Sequence, residues 1–231
     1  MYVENRQALG FAGSGWLGTV LPHVFSLYES SNTLSHARQN AAFHYDTSNT
    51  LFTSFLSSDL NYSCALWSAA TATLKDAQRN KIQYVISKAR ISASDHVLDI
   101  GCGWGDLSIQ MVKQTGCQMT ALTLAEEQRK LVEERIEAEG LESKIEVLLC
   151  DYRQAPMPEG GYDRIVSIEM FEHVGEKFMN QYFETISRLL KPKNGVMVVQ
   201  SSTLTQSVSL IWLTSTISFR LLMVQIPRFT T

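Results

Sequence analysis

From residue 95 onward, short apolar segments alternate with longer segments whose apolar residues recur at helical spacing. A short segment that is apolar throughout is typical of a parallel strand buried on both faces of a sheet. Apolar residues three and four positions apart predict amphipathic helices between such strands. We therefore predict an α/β fold with a doubly wound, mostly parallel sheet. The predicted strands are 96–100, 117–122, 144–149, 162–168 and 195–200, and the predicted helices between them are 107–114, 125–140 and 179–190.

The chain before this alternation divides into two parts. Residues 1–35 are interpreted as a partly ordered leader, because glycines and Pro22 interrupt their apolar stretch and disfavour a membrane-spanning helix. No basic region precedes that stretch, so a secretory signal is not predicted, whereas a location on a membrane surface stays open. Residues 36–90 are predicted to form a helical cover, with clear helical spacing over 73–88. The core of the fold is assigned to residues 91–200.

Residues 201–231 break the alternating pattern. They are rich in Ser and Thr, contain no acidic residue and show no clear rhythm of strands and turns. Residues 208–226 suggest a weak membrane span, but Arg220 within them costs roughly 2.5–3.5 kcal/mol on an insertion scale. We therefore interpret 201–231 as an aberrant tail. Because the tail shows no pattern of replacement strands, we expect the outer edge of the strand at 195–200 to be unpaired.

Composition and charge exclude several classes of protein. The chain has 20 Lys and Arg against 23 Asp and Glu, and every charged residue after Glu184 is basic. The long body before that point is therefore acidic, which argues against nucleic-acid binding. The four cysteines form no C-x-x-C pair and have no histidine at metal-ligand spacing. Neither a metal site nor a disulfide framework is predicted, and reduced thiols fit a cytoplasmic protein.

A glycine-rich loop directly follows the first predicted strand. Residues 97–105 read V-L-D-I-G-C-G-W-G, and the G-x-G-x-G spacing lets the backbone turn sharply and approach a ligand closely. Asp106 breaks the dinucleotide pattern, and no Lys-Ser/Thr pair for a nucleoside triphosphate follows. Asp99 is placed to hold a cationic amino group. S-adenosylmethionine (SAM), which carries an amino-acid end and no phosphate, fits this loop, and a turn without a ligand is the alternative.

Polar residues also follow the second and third predicted strands. Thr123 and Leu124, with Gln128 one turn later, stand where a nicotinamide enzyme usually carries an acidic residue for the ribose. After the third strand, Asp151 can accept a hydrogen bond from an adenine amino group, and the ring of Tyr152 can cover the adenine face. These positions favour SAM over a nicotinamide cofactor.

The fourth predicted strand is followed by two carboxylates and an imidazole, Glu169, Glu172 and His173. In a doubly wound sheet the first and fourth strands often flank the point where strand order reverses, so these residues should face the same crevice as the glycine loop. Beside a sulfonium cofactor they could manage a proton. Glu169 is expected only to cap and hydrogen-bond the next helix. For His173, capping and proton handling both stay open.

Taken together, residues 36–200 resemble the cyclopropane fatty acid synthase family, including the mycolic acid cyclopropane synthases. The glycine loop alone is generic to SAM-dependent methyltransferases. More specific are the Y-S-C segment at 62–64, Thr123 after the second strand and the F-E-H-V-G loop at 171–175. The other matching segments are His44-Tyr45-Asp46, Asn61, Leu122 to Leu124 with Gln128, and Asp151-Tyr152-Arg153.

The resemblance implies a Rossmann-like SAM-dependent methyltransferase fold with an N-terminal helical cover. It implies transfer of a methyl or methylene group to the cis double bond of an unsaturated phospholipid acyl chain, by a cytoplasmic protein peripheral to membranes. A bound bicarbonate would be the base, held by Glu172 and by Cys64, the latter through its backbone, with Gln200 where several members carry His. No metal is implied. The residues that the resemblance assigns to the SAM site are Tyr62, Ser63, Val97, Leu98, Asp99, Ile100, Gly101, Cys102, Gly103, Trp104, Gly105, Thr123, Leu124, Gln128, Asp151 and Tyr152.

The tail at 201–231 does not resemble the family's continuation, which adds a lipid-channel segment, a bicarbonate-binding tyrosine and the last two strands of the sheet. The chain is therefore expected to be a truncated member, poorly stable and inactive as written. Two alternatives stay open. One is a small-amine N-methyltransferase built on the same frame, and the other is a protein that binds SAM without catalysis.

Overall fold

The computed structural model describes residues 33–45, 49–204 and 219–227, and within these ranges six strands form one sheet. The strand order is β3-β2-β1-β4-β5-β6. The first five strands run parallel, and β6 is antiparallel to β5. The predicted α/β fold with a mostly parallel sheet is confirmed. The strands are β1 His96–Ile100, β2 Gln118–Thr123, β3 Ile145–Leu149, β4 Arg164–Ile168, β5 Val196–Leu204 and β6 Phe219–Pro227.

Helices cover the sheet and precede it. The helix that leads into the sheet, α3, begins with a capping box, in which Thr73 Oγ1 accepts a hydrogen bond from the Asp76 N–H and the Asp76 carboxylate accepts one from the Thr73 N–H. The cap explains why this helix starts where its apolar spacing begins. The helices are α1 Leu34–Tyr45, α2 Asn49–Phe55, α3 Leu74–Ala89, α4 Asp106–Thr115, α5 Glu126–Ala138 and α6 Met179–Leu189.

The apolar strands bury both of their faces. Side chains alternate along a strand, so Val97 packs in one hydrophobic cluster and Leu98 in the other. The first cluster includes Ile82 and Val85 of α3, and the second includes Ile186 of α6. Because β1 pairs with both β2 and β4, the strand order reverses between β1 and β4, and the loops after these two strands diverge.

The expectation of an unpaired edge on the fifth strand is wrong. β5 extends past the predicted end at residue 200 to Leu204, and it pairs with β6 from Val196 opposite Pro227 to Leu204 opposite Phe219. The sequence of β6, F-R-L-L-M-V-Q-I-P, is mostly apolar and includes the β-branched residues Val224 and Ile226, which favour a strand. The interpretation of 208–226 as one apolar segment missed β6, which begins at Phe219 in the second half of that segment. The leader at 1–32 and residues 205–218 and 228–231 of the tail lie outside the described residues.

A carboxyl group lies within the sheet itself. Asp99 of β1 is fully buried, and its Oδ2 accepts a hydrogen bond of 2.6 Å from Ser108 Oγ at the start of α4. Its Oδ1 has no hydrogen-bond partner within the described ranges. Burial raises the pKa of Asp99 from 3.8 to about 6, although the Ser108 hydrogen bond opposes this. The fold therefore holds an acid whose ionised form is poorly solvated.

Removing β6 should destabilise the sheet. A chain that ends at Leu204 leaves nine residues of β5 without the partners that β6 provides, and an unpaired apolar edge is a template for self-association. We expect a melting temperature lower by more than about 5 °C and oligomers in sedimentation velocity. A chain that ends at Pro227 keeps β6 and serves as the control. Equal melting temperatures and monomers in both truncations would contradict the pairing.

Asp99 should make stability depend on pH between about 4 and 6. Its folded pKa lies above its unfolded value, so the folded state binds more protons in this window, and stability falls as the pH rises through it. The shift corresponds to about 3 kcal/mol. Denaturant unfolding of Asp99→Asn, which cannot ionise, should lack this component, so the difference in stability between variant and wild type should change by that amount between pH 3 and pH 7. Parallel pH profiles of the two proteins would refute the burial of this charge.

Candidate active site

A cavity of about 580 Å³ opens at the carboxyl ends of the parallel strands. Residues at the ends of β1, β2, β3 and β4 line it, and α1 covers it from the N-terminal side. A smaller cavity of about 80 Å³ adjoins the larger one and shares several lining residues with it, among them Gly101, Gly103 and Glu169. The site lies where the strand order reverses, which is the usual position of a ligand in an open α/β sheet.

The three positions of the loop after β1 require glycine for different structural reasons. All three have positive φ, 86° at Gly101, 54° at Gly103 and 83° at Gly105. A Cβ at Gly105 would lie 2.7 Å from Val132 Cγ1, so this glycine allows α5 to pack against the loop. A Cβ at Gly103 would meet no atom within 4 Å, although Gly103 lines both cavities. Gly103 therefore keeps open a space that a ligand could fill.

Polar groups line the cavity after β2 and β3. Thr123 Oγ1 donates to Gln128 Oε1 at 2.7 Å, and both residues are buried. Asp151 accepts three hydrogen bonds from Arg153, one from its backbone N–H at 2.9 Å and two from the guanidinium at 2.7 Å. This pairing fixes the Asp151 carboxylate at the cavity wall beside Tyr152. Both strand ends therefore offer buried hydrogen-bonding groups with fixed orientation.

An aromatic cluster joins the N-terminal cover to the glycine loop. The ring of Trp104 lies 4.5 Å from that of Phe52 and 6.2 Å from that of Tyr62, measured between centroids. Its indole N–H donates to Asn49 Oδ1 at 2.9 Å. Tyr45 at the end of α1 meets Trp104 edge to face. Such contacts hold the cover over the cavity.

The segment after Tyr62 is anchored to α3. Lys81 Nζ donates a hydrogen bond to Ser63 Oγ, and Gln78 Nε2 donates to the Ser63 carbonyl at 2.7 Å. Lys81 is almost fully buried and lines the smaller cavity. Burial lowers the pKa of Lys81, while the nearby Glu169, Cys64 and Asp106 act in the opposite direction. Helix α3 therefore places the buried Lys81 side chain between the anchored segment and Glu169.

The carboxylate of Glu169 is the centre of the polar contacts after β4. It accepts hydrogen bonds from the Cys64 backbone N–H at 3.1 and 3.2 Å, from the Cys64 thiol at 2.7 Å and from Gln200 Nε2 at 2.8 Å. Glu169 itself has a φ of 51°, and its N–H donates to the Gln200 carbonyl at 2.7 Å. The expectation that Glu169 caps the next helix is wrong, because the short 3-10 helix Phe171–His173 has no side-chain cap. The side chain instead turns back toward β5 and the cover.

Glu169 also influences the protonation state of the Cys64 thiol. Partial burial, the hydrogen bond to Glu169 and the charge of Glu169 together raise the pKa of Cys64 to about 12. Cys64 is therefore a neutral thiol at physiological pH and donates its S–H proton to the carboxylate.

The expected site residues divide into three groups. Cys64 and Gln200 lie close together as expected, but both donate hydrogen bonds to Glu169 and not to Glu172. The exposed Glu172 instead accepts hydrogen bonds from Ser201 Oγ at 3.0 Å and from the Ser202 N–H at 3.4 Å. Of the expected cofactor residues, the larger cavity is lined by Ile100, Gly101, Gly103, Thr123, Leu124, Gln128, Asp151 and Tyr152. The smaller cavity is lined by Tyr62, Ser63, Gly101, Cys102, Gly103, Trp104, Gly105 and Gln128, while Val97, Leu98 and Asp99 are buried in β1 and line neither.

Sequence reasoning missed the roles of Glu169 and Lys81, although a signal existed for each. Glu169 is the first polar residue after an apolar strand, the same position that identified Thr123 and Asp151 as candidates. Lys81 lies among the buried residues of α3, one turn after Ala77 and one turn before Val85. A lysine on the apolar face of an amphipathic helix indicates a specific partner, because a buried charge is otherwise costly.

The part of the chain that the structure describes contains no helix that is both long enough and apolar enough to cross a membrane.

Known proteins with similar sequences support one family. A family model described as mycolic acid cyclopropane synthetase matches residues 32–219. The tuberculostearic acid methyltransferase UfaA1 of Mycobacterium tuberculosis is 36% identical over 196 residues, which are 82% of this chain and 44% of that protein. The cyclopropane-fatty-acyl-phospholipid synthase of Escherichia coli is 41% identical over 150 residues, 65% of this chain and 37% of the enzyme. The sphingolipid C9-methyltransferase of Candida albicans is 33% identical over 207 residues, 87% and 39% of the two chains. The chain thus spans less than half the length of these relatives.

Solved structures agree with the sequence comparisons. The cyclopropane synthase MmaA2 of Mycobacterium tuberculosis superposes with a TM-score of 0.70 at 30% identity, over 75% of this chain and 60% of that one. The mycolic acid cyclopropane synthase CmaA1 complexed with SAH and CTAB gives 0.69 at 32% identity, over 75% and 59%. The sheet is therefore the Rossmann-like fold of SAM-dependent methyltransferases. Because the family model spans most of the chain and solved members share its sheet, the chain belongs to the mycolic acid cyclopropane synthetase family.

Proposed function

We propose that the protein binds SAM in the larger cavity and transfers a methyl or methylene group to the cis double bond of an unsaturated phospholipid acyl chain. The observation that carries this proposal is the placement of the Gly103 space and the Glu169 carboxylate in one cavity at the strand-order reversal. The names of relatives support it, since they include a phospholipid synthase and a sphingolipid methyltransferase. The solved CmaA1 complex with SAH supports the choice of cofactor.

The residues around the cavity fit SAM. Gly103 leaves room for the ligand. Asp99 lines neither cavity, so its Oδ1, which has no hydrogen-bond partner among the described residues, would reach an α-amino group through water. Asp151 and Tyr152 at the end of β3 suit an adenine, and Thr123 with Gln128 suits a ribose. When bound, SAM supplies an electrophilic methyl group on a sulfonium centre.

The cover makes the chemistry with an alkene feasible. An alkene is a weak nucleophile, so it must be held against the methyl group in a site that excludes water. Apolar residues of α1 and the loop after β4, including Ala37, Ala41 and Met170, line the larger cavity. Methyl transfer leaves a cation on the acyl chain, and a base must then remove a proton. Glu169 and His173, which follow β4, line the larger cavity and are the candidates for this base.

Association with a membrane surface is part of the proposal, because the acyl chain is delivered from a bilayer. Phe43 on α1, Phe55 at the end of α2 and Trp67 between α2 and α3 are large apolar side chains with more than half of their surface exposed. Aromatic side chains are favoured at the boundary between lipid and water. They lie on the same N-terminal part of the chain as α1, which covers the cavity.

A second candidate is methyl transfer to a small amine. The Glu169 carboxylate lines the cavity, and a carboxylate there could attract an ammonium substrate and accept its proton. Substrate panels separate the two functions. The protein would be incubated with methyl-labelled SAM and either vesicles of a cis-monounsaturated phospholipid or a set of primary and secondary amines. Label in the acyl chains supports the lipid reaction, label in amines refutes it in favour of the second candidate, and SAM binding without turnover indicates a non-catalytic protein.

Substitution of Gly103 tests the SAM site. Gly103→Val places a branched side chain in the space that the ligand should fill, so we expect the dissociation constant for SAM in calorimetry to rise by at least about tenfold. Gly140→Val is the matched control, because Gly140 also has positive φ, 65°, and would also meet no atom within 4 Å, but lies beyond α5. The control should bind SAM as wild type does. Equal SAM affinity in all three proteins would place the cofactor elsewhere.

A further inference from the structure

The donors expected to hold a bicarbonate ion are already engaged by a carboxylate of the protein. The resemblance assigns that ion to the Cys64 backbone, Gln200 and Glu172. In the structure the Cys64 N–H lies 3.1 Å and Gln200 Nε2 lies 2.8 Å from the same oxygen of Glu169. Glu172 is engaged separately by Ser201 and Ser202. A second anion within this donor set would face a like charge at contact distance, so bicarbonate does not fit these residues.

The backbone of Glu169 adds an independent observation. Its φ of 51° lies in the left-handed region, which glycine adopts freely and a residue with a side chain adopts at a cost. The hydrogen bond from the Glu169 N–H to the Gln200 carbonyl holds this conformation in place. It also turns the side chain back toward Cys64 and Gln200. Backbone strain of this kind persists where the surrounding structure requires it, commonly at functional sites.

We propose that the Glu169 carboxylate occupies the position that the resemblance gives to bicarbonate and serves as the base of the reaction. This rests on the proposed function, transfer to the double bond of an acyl chain. Glu169 lines both cavities, so its carboxylate adjoins the space assigned to the reactants. The protein then carries its base covalently and needs no dissolved anion.

The reaction step balances without a further reagent. The π electron pair of the alkene forms a bond to the methyl carbon of SAM, while the S–CH₃ bond breaks and S-adenosylhomocysteine leaves. The alkyl cation loses a proton from the transferred methyl group to an oxygen of Glu169. The electron pair of that C–H bond closes the three-membered ring. The protonated carboxyl group then returns its proton to water.

The neighbours of Glu169 suit a carboxylate that alternates between two protonation states. Cys64 stays a neutral donor, because its thiol pKa is raised to about 12. The Lys81 side chain, which donates a hydrogen bond to Ser63 Oγ and lines the smaller cavity, lies close enough to Glu169 for the two to interact electrostatically. Gln200 is buried and cannot exchange protons, so it orients the carboxylate without competing for the proton.

A thermal-shift experiment tests the position of the carboxylate without substrate. Glu169→Gly removes the side chain at a φ that glycine adopts freely, and should leave a site for an anion. We expect about 50 mM sodium bicarbonate, compared with equal sodium chloride, to raise its melting temperature by at least about 3 °C. Wild type and Glu169→Gln, in which a side chain still fills the position, should change by less than about 1 °C. Asn194→Gly, at an exposed position that also has positive φ, controls for relief of backbone strain.

Turnover on unsaturated phospholipid vesicles tests the role of the carboxylate. In buffer freed of carbon dioxide, wild type should keep its rate to within about twofold of the rate with bicarbonate. Glu169→Gly should lose activity on the order of 100-fold and regain at least about tenfold on addition of bicarbonate. Glu169→Gln should lose activity without recovery. SAM affinity, measured by calorimetry, should be nearly equal in all three proteins.

Two results would overturn the inference. One is a wild-type enzyme whose rate depends on bicarbonate, and the other is a Glu169→Gly variant that bicarbonate neither stabilises nor reactivates. Absence of lipid methylation in every protein would instead contradict the proposed function. In that case the melting temperatures, which require no substrate, still decide whether the carboxylate occupies the anion position.

Discussion

The pairing of β1 with β4 determines where the crevice of the candidate site opens and which residues can face it. Val97 lies opposite Arg164 and Asp99 opposite Val166, which aligns the ends of the two strands. The chain leaves β1 through the glycine loop toward one side and leaves β4 through Glu169 toward the other. Because neither connection crosses this point, a crevice opens between them. The helical cover, the glycine loop and the Glu169 carboxylate are all arranged around that crevice.

The second constraint is electrostatic. Asp99 and Lys81 place ionisable groups in surroundings that solvate them poorly, and Glu169 is half-buried beside the buried Gln200. Each has a partner that limits the unfavourable energy, namely Ser108 for Asp99, Ser63 for Lys81, and Cys64 with Gln200 for Glu169. Groups held in this way do not need to reorganise when a charge develops beside them, which is how an active site lowers the energy of a transition state.

Much of the fold and part of the site could be predicted from the sequence. The strands β1 to β4 were placed to within about two residues, because their buried faces require apolar runs that end in glycine or polar residues. Residues such as Gly103 and Thr123 were found from their position after those strands. β6 was not predicted, since its apolar sequence has no flanking turn signal within a segment that also resembles a weak span. The role of Glu169 could not be predicted either, because it depends on two partners, Cys64 and Gln200, that lie far away in sequence and approach only in the folded protein.

The contact between Cys64 and Glu169 joins residues 105 positions apart. Such a contact closes a large loop, and closing it early in folding would lose much chain entropy. This loss is smaller after the pairing of β1 with β4 has brought the ends of the loop together. The sheet can therefore assemble before the cover docks. A folding intermediate with a complete sheet and an undocked cover would hold the glycine loop but lack the oriented carboxylate. The glycine loop and the orientation of the Glu169 carboxylate are then completed at separate stages of folding.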